Sequence, residues 1–231
     1  MMITHFPAYL LLITSSLAAA QQQEANPAAP YVQSQLNICA ECHGVDGISA
    51  NPEIPIIAGL AKKTLQRALF AFQADKRPNL TAQGHAIQAH LLQGSSDLRQ
   101  REKIQQLSRY YAALGFTPAE QTQAFKQLTP QQMEKGKALH QTYCARCHKK
   151  QGRIDNNGVG ILAGQWLPYL RHSMSDFQTN KREMPQKMVK RLTAMNEAEL
   201  DDINAGVKEM DWLELLLLYY AAQAKIPNLS P

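Results

Sequence analysis

Several things are scarce in this chain. Only 7% of its 231 residues are aromatic and 19% are charged, the latter below the roughly 25% of an ordinary soluble domain. No apolar run approaches the ~20 residues that a membrane-crossing helix needs; the strongest, Ala8 to Ala20 and Leu213 to Ala222, are both too short. There is no block of basic residues. The 24 Lys and Arg exceed the 19 Asp and Glu by a net +5 that is spread over both halves, which argues against nucleic acid as a partner. Methionine is absent between Met2 and Met133, and cysteine occurs four times in all. The hydrophobic content, 45%, excludes a disordered chain. The length fits one large domain or two of ~100 residues.

The first twenty residues have the pattern of a secretory signal. Ala8 to Ala20 is apolar and closes on the small residues Ala18 and Ala20 before a glutamine run, which is an h-region followed by an A-x-A cleavage site. The n-region has no Lys or Arg, and an uncleaved anchor is the competing reading. The expectation is a signal peptide over 1–20 and a mature chain from Gln21, exported to the periplasm and not membrane-spanning after cleavage.

All four cysteines fall in two copies of one motif, Cys39-Ala-Glu-Cys42-His43 and Cys144-Ala-Arg-Cys147-His148. C-x-x-C-H is the haem-attachment signature. Two thiols three apart on a helical turn can add to the two vinyl groups of one haem, and the adjoining imidazole then reaches the iron as proximal ligand. A redox disulfide or a zinc site could also use C-x-x-C, but neither needs His at this position in both copies. Two covalent haem c groups are therefore expected, leaving no free thiol for catalysis or an iron–sulfur cluster.

The motifs belong to a duplication. The offset of 105 residues between Cys39 and Cys144 also relates Ala58-Gly59 to Ala163-Gly164, Leu65 to Leu170, Phe72 to Phe177 and Arg77 to Arg182. It becomes 109 at Tyr110-Tyr111 and Tyr219-Tyr220. A repeat of this kind outranks local propensity as a guide to fold. Each unit reads as helix, haem motif, loop, helix, ligand loop and closing helix. The closing helices are predicted over Glu102–Leu114 and Trp212–Ala224, with apolar residues at helical spacing. The expected domains are 21–115 and 133–231. The linker is 116–132, in which Thr117-Pro118 and Thr129-Pro130 each suggest a helix start.

The halves differ in candidates for the sixth iron ligand. Met is a common choice in electron-transfer haems and raises the potential. The second half offers Met184, Met188 and Met195 in what reads as the ligand loop. Met188 is preferred because it stands where the loop gives way to an apolar stripe, Leu192 to Met195; Met184, before Pro185, is its rival. The first half has no Met and offers His85, with His90 close enough to compete; five-coordinate iron is the alternative. His140 and His172 read as surface or linker-facing residues.

The second half, through KGKALHQTYCARCH and ILAGQWLPYLRHSMSDFQTNKREMPQKMVKRL, resembles the haem subunit of flavocytochrome c sulfide dehydrogenase. Arg182, Met184 and Met188 match its pattern, and the family's axial Met falls on Met188. The first half, with CAECHGVDG, is similar to dihaem class I cytochromes c generally, and its lack of Met departs from the family. The resemblance implies an all-α fold of two tandem class I cytochrome c domains. It also implies a permanent partner, an FAD-containing flavoprotein subunit, whose electrons pass through the haems to a soluble redox acceptor. A free-standing dihaem carrier is the alternative; an enzyme acting at an open first haem is a third reading, against which stands the lack of any other catalytic constellation. Lys181, Arg182, Lys187, Lys190 and Arg191 around the Met candidates, and Arg146, Lys149, Lys150 and Arg153 around the second motif, suggest a docking ring for an acidic partner or simply a solvated basic face.

Overall fold

The structure is a computed structural model describing residues 30–78, 97–121, 126–156, 158–204 and 210–223; the signal segment, His85 and His90 lie outside them. All the regular elements among these residues are helical. In the first half α1 (Pro30–His43) and α2 (Lys62–Gln73) both pack on α3 (Asp97–Ala112). In the second, α4 (Pro130–Leu139) runs into a single π-helical turn, His140–Cys144. Then follow α5 (Leu167–Gln178), α6 (Gln186–Asn204) and α7 (Trp212–Ala222), with α4, α5 and α6 all packed on α7. The closing helix of the first half thus begins five residues earlier than predicted and ends two earlier. That of the second starts where predicted and ends at Ala222.

Local chemistry sets these boundaries. Thr129 accepts from the Gln132 backbone while the Gln132 side chain accepts from the Thr129 backbone, a reciprocal capping box with Pro130 at the first helical position. Asp211 caps α7 by accepting from the backbone of Glu214 at 2.8 Å. The other predicted start is not made: residues 118–121 after Thr117 form no helix, and Pro118 packs against Gly164 instead. Both mid-half helices stop the same way. Asp75 after α2 and Asn180 after α5, equivalent by the repeat, take positive φ of 53° and 56°, a left-handed conformation that Asp and Asn tolerate better than most residues.

The duplication extends to backbone hydrogen bonds. Gly47 O accepts from Ile57 and Ala58, and Gly152 O from Leu162 and Ala163. Gly59 N donates to Tyr111 O and Gly164 N to Tyr220 O, each at 2.9 Å. These two glycines have φ of +70° and +79°; a Cβ would run into the Phe116 backbone in one case and come within 2.6 Å of Pro118 Cβ in the other. The repeated Ala-Gly is therefore required both by conformation and by close approach.

Helix α7 is buried from Leu215 to Ala222 and forms the centre of the second core, with Leu139, Leu167, Leu170 and Met195 around it. A helix apolar on every side belongs in such a position. Gly136 of α4 lies against it, where a Cβ would meet Tyr219 Cβ at 2.8 Å. The first half has smaller clusters, and Ile161 of the second half is buried in one of them with Leu60, Leu65 and Tyr111. The seam between halves is polar as well as apolar. Gln165, 1% exposed, accepts from Ile56 N at 3.0 Å and donates to Ile56 O at 2.7 Å. Gln121 joins it by donating to Gln165 O and accepting from Leu167 N. Trp166 Nε1 donates to Ser49 O at 2.9 Å, and Asp155 Oδ2 accepts from Ala61 N at 2.8 Å. Replacing Gln165 by Leu leaves both polar groups of Ile56 buried and unpaired, and is expected to cost about 2–4 kcal/mol of stability. Chemical denaturation measures this; a loss below about 1 kcal/mol would show that water reaches the seam.

Candidate functional site

The two C-x-x-C-H segments occupy equivalent places. Cys39, Cys42 and His43 form the last turn of α1. Cys144 closes the π-helical turn, and Cys147 and His148 follow in the next turn, with His148 N donating to Cys144 O at 2.9 Å. The four thiols are unpaired. Burial pushes the Cys39 and Cys144 thiols above their usual pKa. Cys39 is packed against the cluster of Leu60, Leu65 and Tyr111, and Cys144 against the core around α7. Each motif thus lies on the wall of its own half's apolar interior.

The two histidines are held differently. His43 Nδ1 lies 2.9 Å from Pro55 O, a contact that suits an Nδ1–H donor and leaves Nε2 free as a metal ligand; such a second contact fixes tautomer and ring orientation. His148 Nδ1 is buried with no protein partner. Burial is the first cause lowering the pKa of both rings, which takes His148 to about 4, so both are neutral imidazoles at physiological pH, the form that binds a metal.

His140 is a correction. It is not a surface residue but 1% exposed, with Nδ1 2.8 Å from the Tyr220 hydroxyl. It stands four residues before Cys144, at the position held by Gln35 in the first half. A π-turn inserts a residue's worth of slack into a helix and is common beside functional sites; here it begins at His140 and ends at the first haem-motif thiol. His172 does lie outside, half-exposed and 2.6 Å from Glu53 across the seam.

The expected ligand loop is shorter than predicted. Residues 179–185 are loop, and α6 starts at Gln186, so Met188 and Met195 are helical. Pro185 O accepts from the backbone N–H of Met188 and Val189, which sets the first turn. Met188, Leu192 and Met195 are spaced i, i+4 and i+7, one helix face. Met195 is fully buried and Leu192 packs on the same core, so Met195 is committed to core packing, while Met188, one turn before Leu192 on that face, is half-buried. Met184 lies in the loop, in a cleft with Phe177, Leu192 and Leu213. Helix α6 packs against the turn His140–Cys144, which brings the Met188 helix to the second motif.

The basic ring is only partly solvated. Arg146, Lys149, Lys150, Lys181, Lys187, Lys190 and Arg191 are exposed. Arg153 is half-buried, with Nε and Nη2 enclosed and unpartnered. Arg182 is half-buried too; burial, and after it Arg77, pulls its pKa down to about 10. Burial pushes the Tyr169 phenol up, but Arg77 and Arg182 outweigh it and the net direction is downward.

Among the described residues no three His, Cys, Asp or Glu side chains converge on a naked-metal site. Unpaired thiols at i and i+3, an adjoining neutral imidazole and an apolar wall are what a covalently attached haem requires, and both halves supply them.

Comparison with known proteins agrees. No protein-family profile matches the chain. It is similar to cytochrome c4 of Stutzerimonas stutzeri, 26% identical over 157 residues that cover 65% of this chain and 72% of that one. It is also similar to cytochrome c4 of Pseudomonas aeruginosa, 26% identical over 181 residues covering 74% and 81%. The crystal structure of reduced cytochrome c4 from Pseudomonas stutzeri superposes with a TM-score of 0.54 over 84% of this chain and 96% of that one, at 19% identity. The fold is two class I cytochrome c domains in tandem. The cofactors are two covalently bound haem c groups, and the protein is a dihaem electron-transfer cytochrome. No helix among the described residues is long and apolar enough to cross a membrane.

Proposed function

We propose that this chain is a periplasmic dihaem electron carrier that exchanges electrons with soluble redox proteins and performs no catalysis of its own. The observation that carries the reading is the pair of equivalent C-x-x-C-H turns, each with its imidazole neutral and its thiols on its own half's core. Cys39 and Cys42 hold one haem and Cys144 and Cys147 the other, with His43 and His148 as proximal ligands. The haem supplies reversible one-electron chemistry at iron; the protein's part is to fix the ligands and exclude water. His43 is oriented by Pro55 O. Met188 would be the sixth ligand of the second haem, supported by its half-buried place one turn before Leu192 on the face of α6 that carries Leu192 and Met195. For the first haem the candidates remain His85 and His90.

A second reading has a specific observation behind it. The run from Ile161 to Leu192 resembles the haem subunit of a flavoprotein sulfide dehydrogenase, which would give the chain a permanent FAD-containing partner. Native purification separates the two: a lone chain of 25.8 kDa or less without flavin supports the free carrier, and co-eluting FAD with a second polypeptide supports the subunit.

The exposed part of the basic ring would steer an acidic acceptor, since charge complementarity acts mainly on the encounter rate. Electron transfer to that acceptor should slow steeply as salt rises, because the screening length falls to ~10 Å at 0.1 M. Lys187→Glu with Lys190→Glu should cut the second-order rate, with both haem spectra unchanged. Stopped-flow mixing measures it. A salt-independent rate, unaffected by the pair, would place docking elsewhere.

A further inference from the structure

The first C-x-x-C-H turn is clipped to a loop that the second half grips. On the side of the motif, Ser49 Oγ donates to Cys42 O at 3.2 Å, and Pro55 O lies 2.9 Å from His43 Nδ1. On the side of the seam, Trp166 Nε1 donates to Ser49 O at 2.9 Å and the Tyr169 backbone N–H donates to Pro52 O at 3.1 Å. His172 Nε2 pairs with Glu53 Oε2 at 2.6 Å. Gln165 takes the end of the loop, accepting from Ile56 N and donating to Ile56 O.

A single peptide group therefore joins His43 to the second half. The Pro55 carbonyl and the Ile56 N–H belong to one planar amide. Its oxygen accepts from His43 Nδ1 in the tautomer that leaves Nε2 for iron, and its N–H donates to Gln165 Oε1 at 3.0 Å. Gln165 and Ile56 are both buried, and hydrogen bonds in series polarise one another in such dry surroundings. Engaging the N–H makes the Pro55 oxygen a stronger acceptor, and a stronger acceptor at Nδ1 makes the imidazole a more basic ligand. The duplication is broken at both ends of this chain. By the repeat, Pro55 corresponds to Gly160 and Gln165 to Leu60, and His148 Nδ1 has no protein partner.

We propose that Gln165 is a positioning residue for the proximal ligand of the other half's haem: through the Pro55–Ile56 amide it orients His43 and raises its basicity, and so sets the potential of the first haem and not of the second. This rests on the two-haem reading above. A more basic ligand favours ferric iron, so Gln165 holds the first potential down.

The test is a spectroelectrochemical titration of the matured dihaem protein, alongside intact mass. The Cys39→Ala, Cys42→Ala variant, which keeps only the second haem, assigns the two couples. In Gln165→Met, which keeps the length of the side chain without its polar atoms, the first potential should rise by about threefold in the reduction equilibrium, about 28 mV at 59 mV per tenfold, with the second unmoved. Gln165→Glu keeps an acceptor oxygen for Ile56 N–H whether or not it is ionised, and should leave the first potential at or below the wild-type value. If Gln165→Met fails to fold, Trp166→Phe, which releases Ser49 O from the second half, should raise the first potential by a smaller amount. With two haems in each variant by mass, a first couple that stays still or falls in Gln165→Met overturns the proposal. So does an equal shift of both couples, or a rise in Gln165→Glu matching that in Gln165→Met, since loosened packing alone would give either. Fewer than two haems in the wild type would instead overturn the haem reading itself.

Discussion

Replacing Cys39 and Cys42 together by Ala should yield a protein that still carries one haem and has lost the other. The expected mass difference from the wild type is one haem group plus the two sulfurs, and the remaining spectrum should be that of the second site alone. The reason is the separateness of the two attachment turns. Cys39 belongs to the cluster around Leu60, Leu65 and Tyr111, while Cys144 belongs to the core around α7. The second core is the larger and contains most of its own contacts, so the second haem should survive loss of the first. Stability will fall, because Ile161 is buried in the first-half cluster and that cluster would lose the haem it walls. Retention of two haems in the double variant would disprove thioether attachment at Cys39 and Cys42.

Met188→Ala should abolish the methionine–iron charge-transfer band at the red end of the oxidised spectrum and lower the potential of the second haem, since an axial Met raises it. Met184→Ala should keep the band. Helical register carries this expectation: Met188 stands four residues before Leu192 and seven before Met195, both committed to the core. Met184 precedes the helix and sits in a cleft beside Leu192 and Leu213. Loss of the band in Met184→Ala but not in Met188→Ala would exchange their roles. Retention in both would reassign the ligand to Met195, against its full burial in the core.

The parts of the fold legible in the sequence are those that repetition and strong local chemistry mark. Cys-x-x-Cys-His is a pattern with a single geometric purpose, and its two copies located both sites. Ala58-Gly59 and Ala163-Gly164 were visible as a repeat, although only the structure supplies the reason, the approach of Phe116 and Pro118 to a Cβ position. Thr129-Pro130 started a helix and Thr117-Pro118 did not. The same dipeptide is compatible with both, and the difference lies in tertiary packing on Gly164. The ligand loop reads in the sequence as holding Met184, Met188 and Met195, yet α6 begins at Gln186; proline just ahead of a helix is compatible with its first turn, and the spacing of Met188, Leu192 and Met195 carries the helical period. The seam was not legible. Gln121, Asp155, Gln165 and Trp166 carry no motif, and their roles depend on backbone groups 44 to 117 residues away that only the folded chain brings within reach. The burial of His140 was not legible for a similar reason: its partner, the Tyr220 hydroxyl, lies 80 residues away and is brought to it only by the folded chain.

The central claim, that one chain holds two separate one-electron centres, is tested most directly by counting electrons. The oxidised, matured wild-type protein is titrated anaerobically with a reductant of known strength while its haem absorbance is followed. The account predicts two electrons taken up per polypeptide, in two one-electron steps at distinct potentials. Uptake of a single electron per chain, or none through the haem bands, would contradict it.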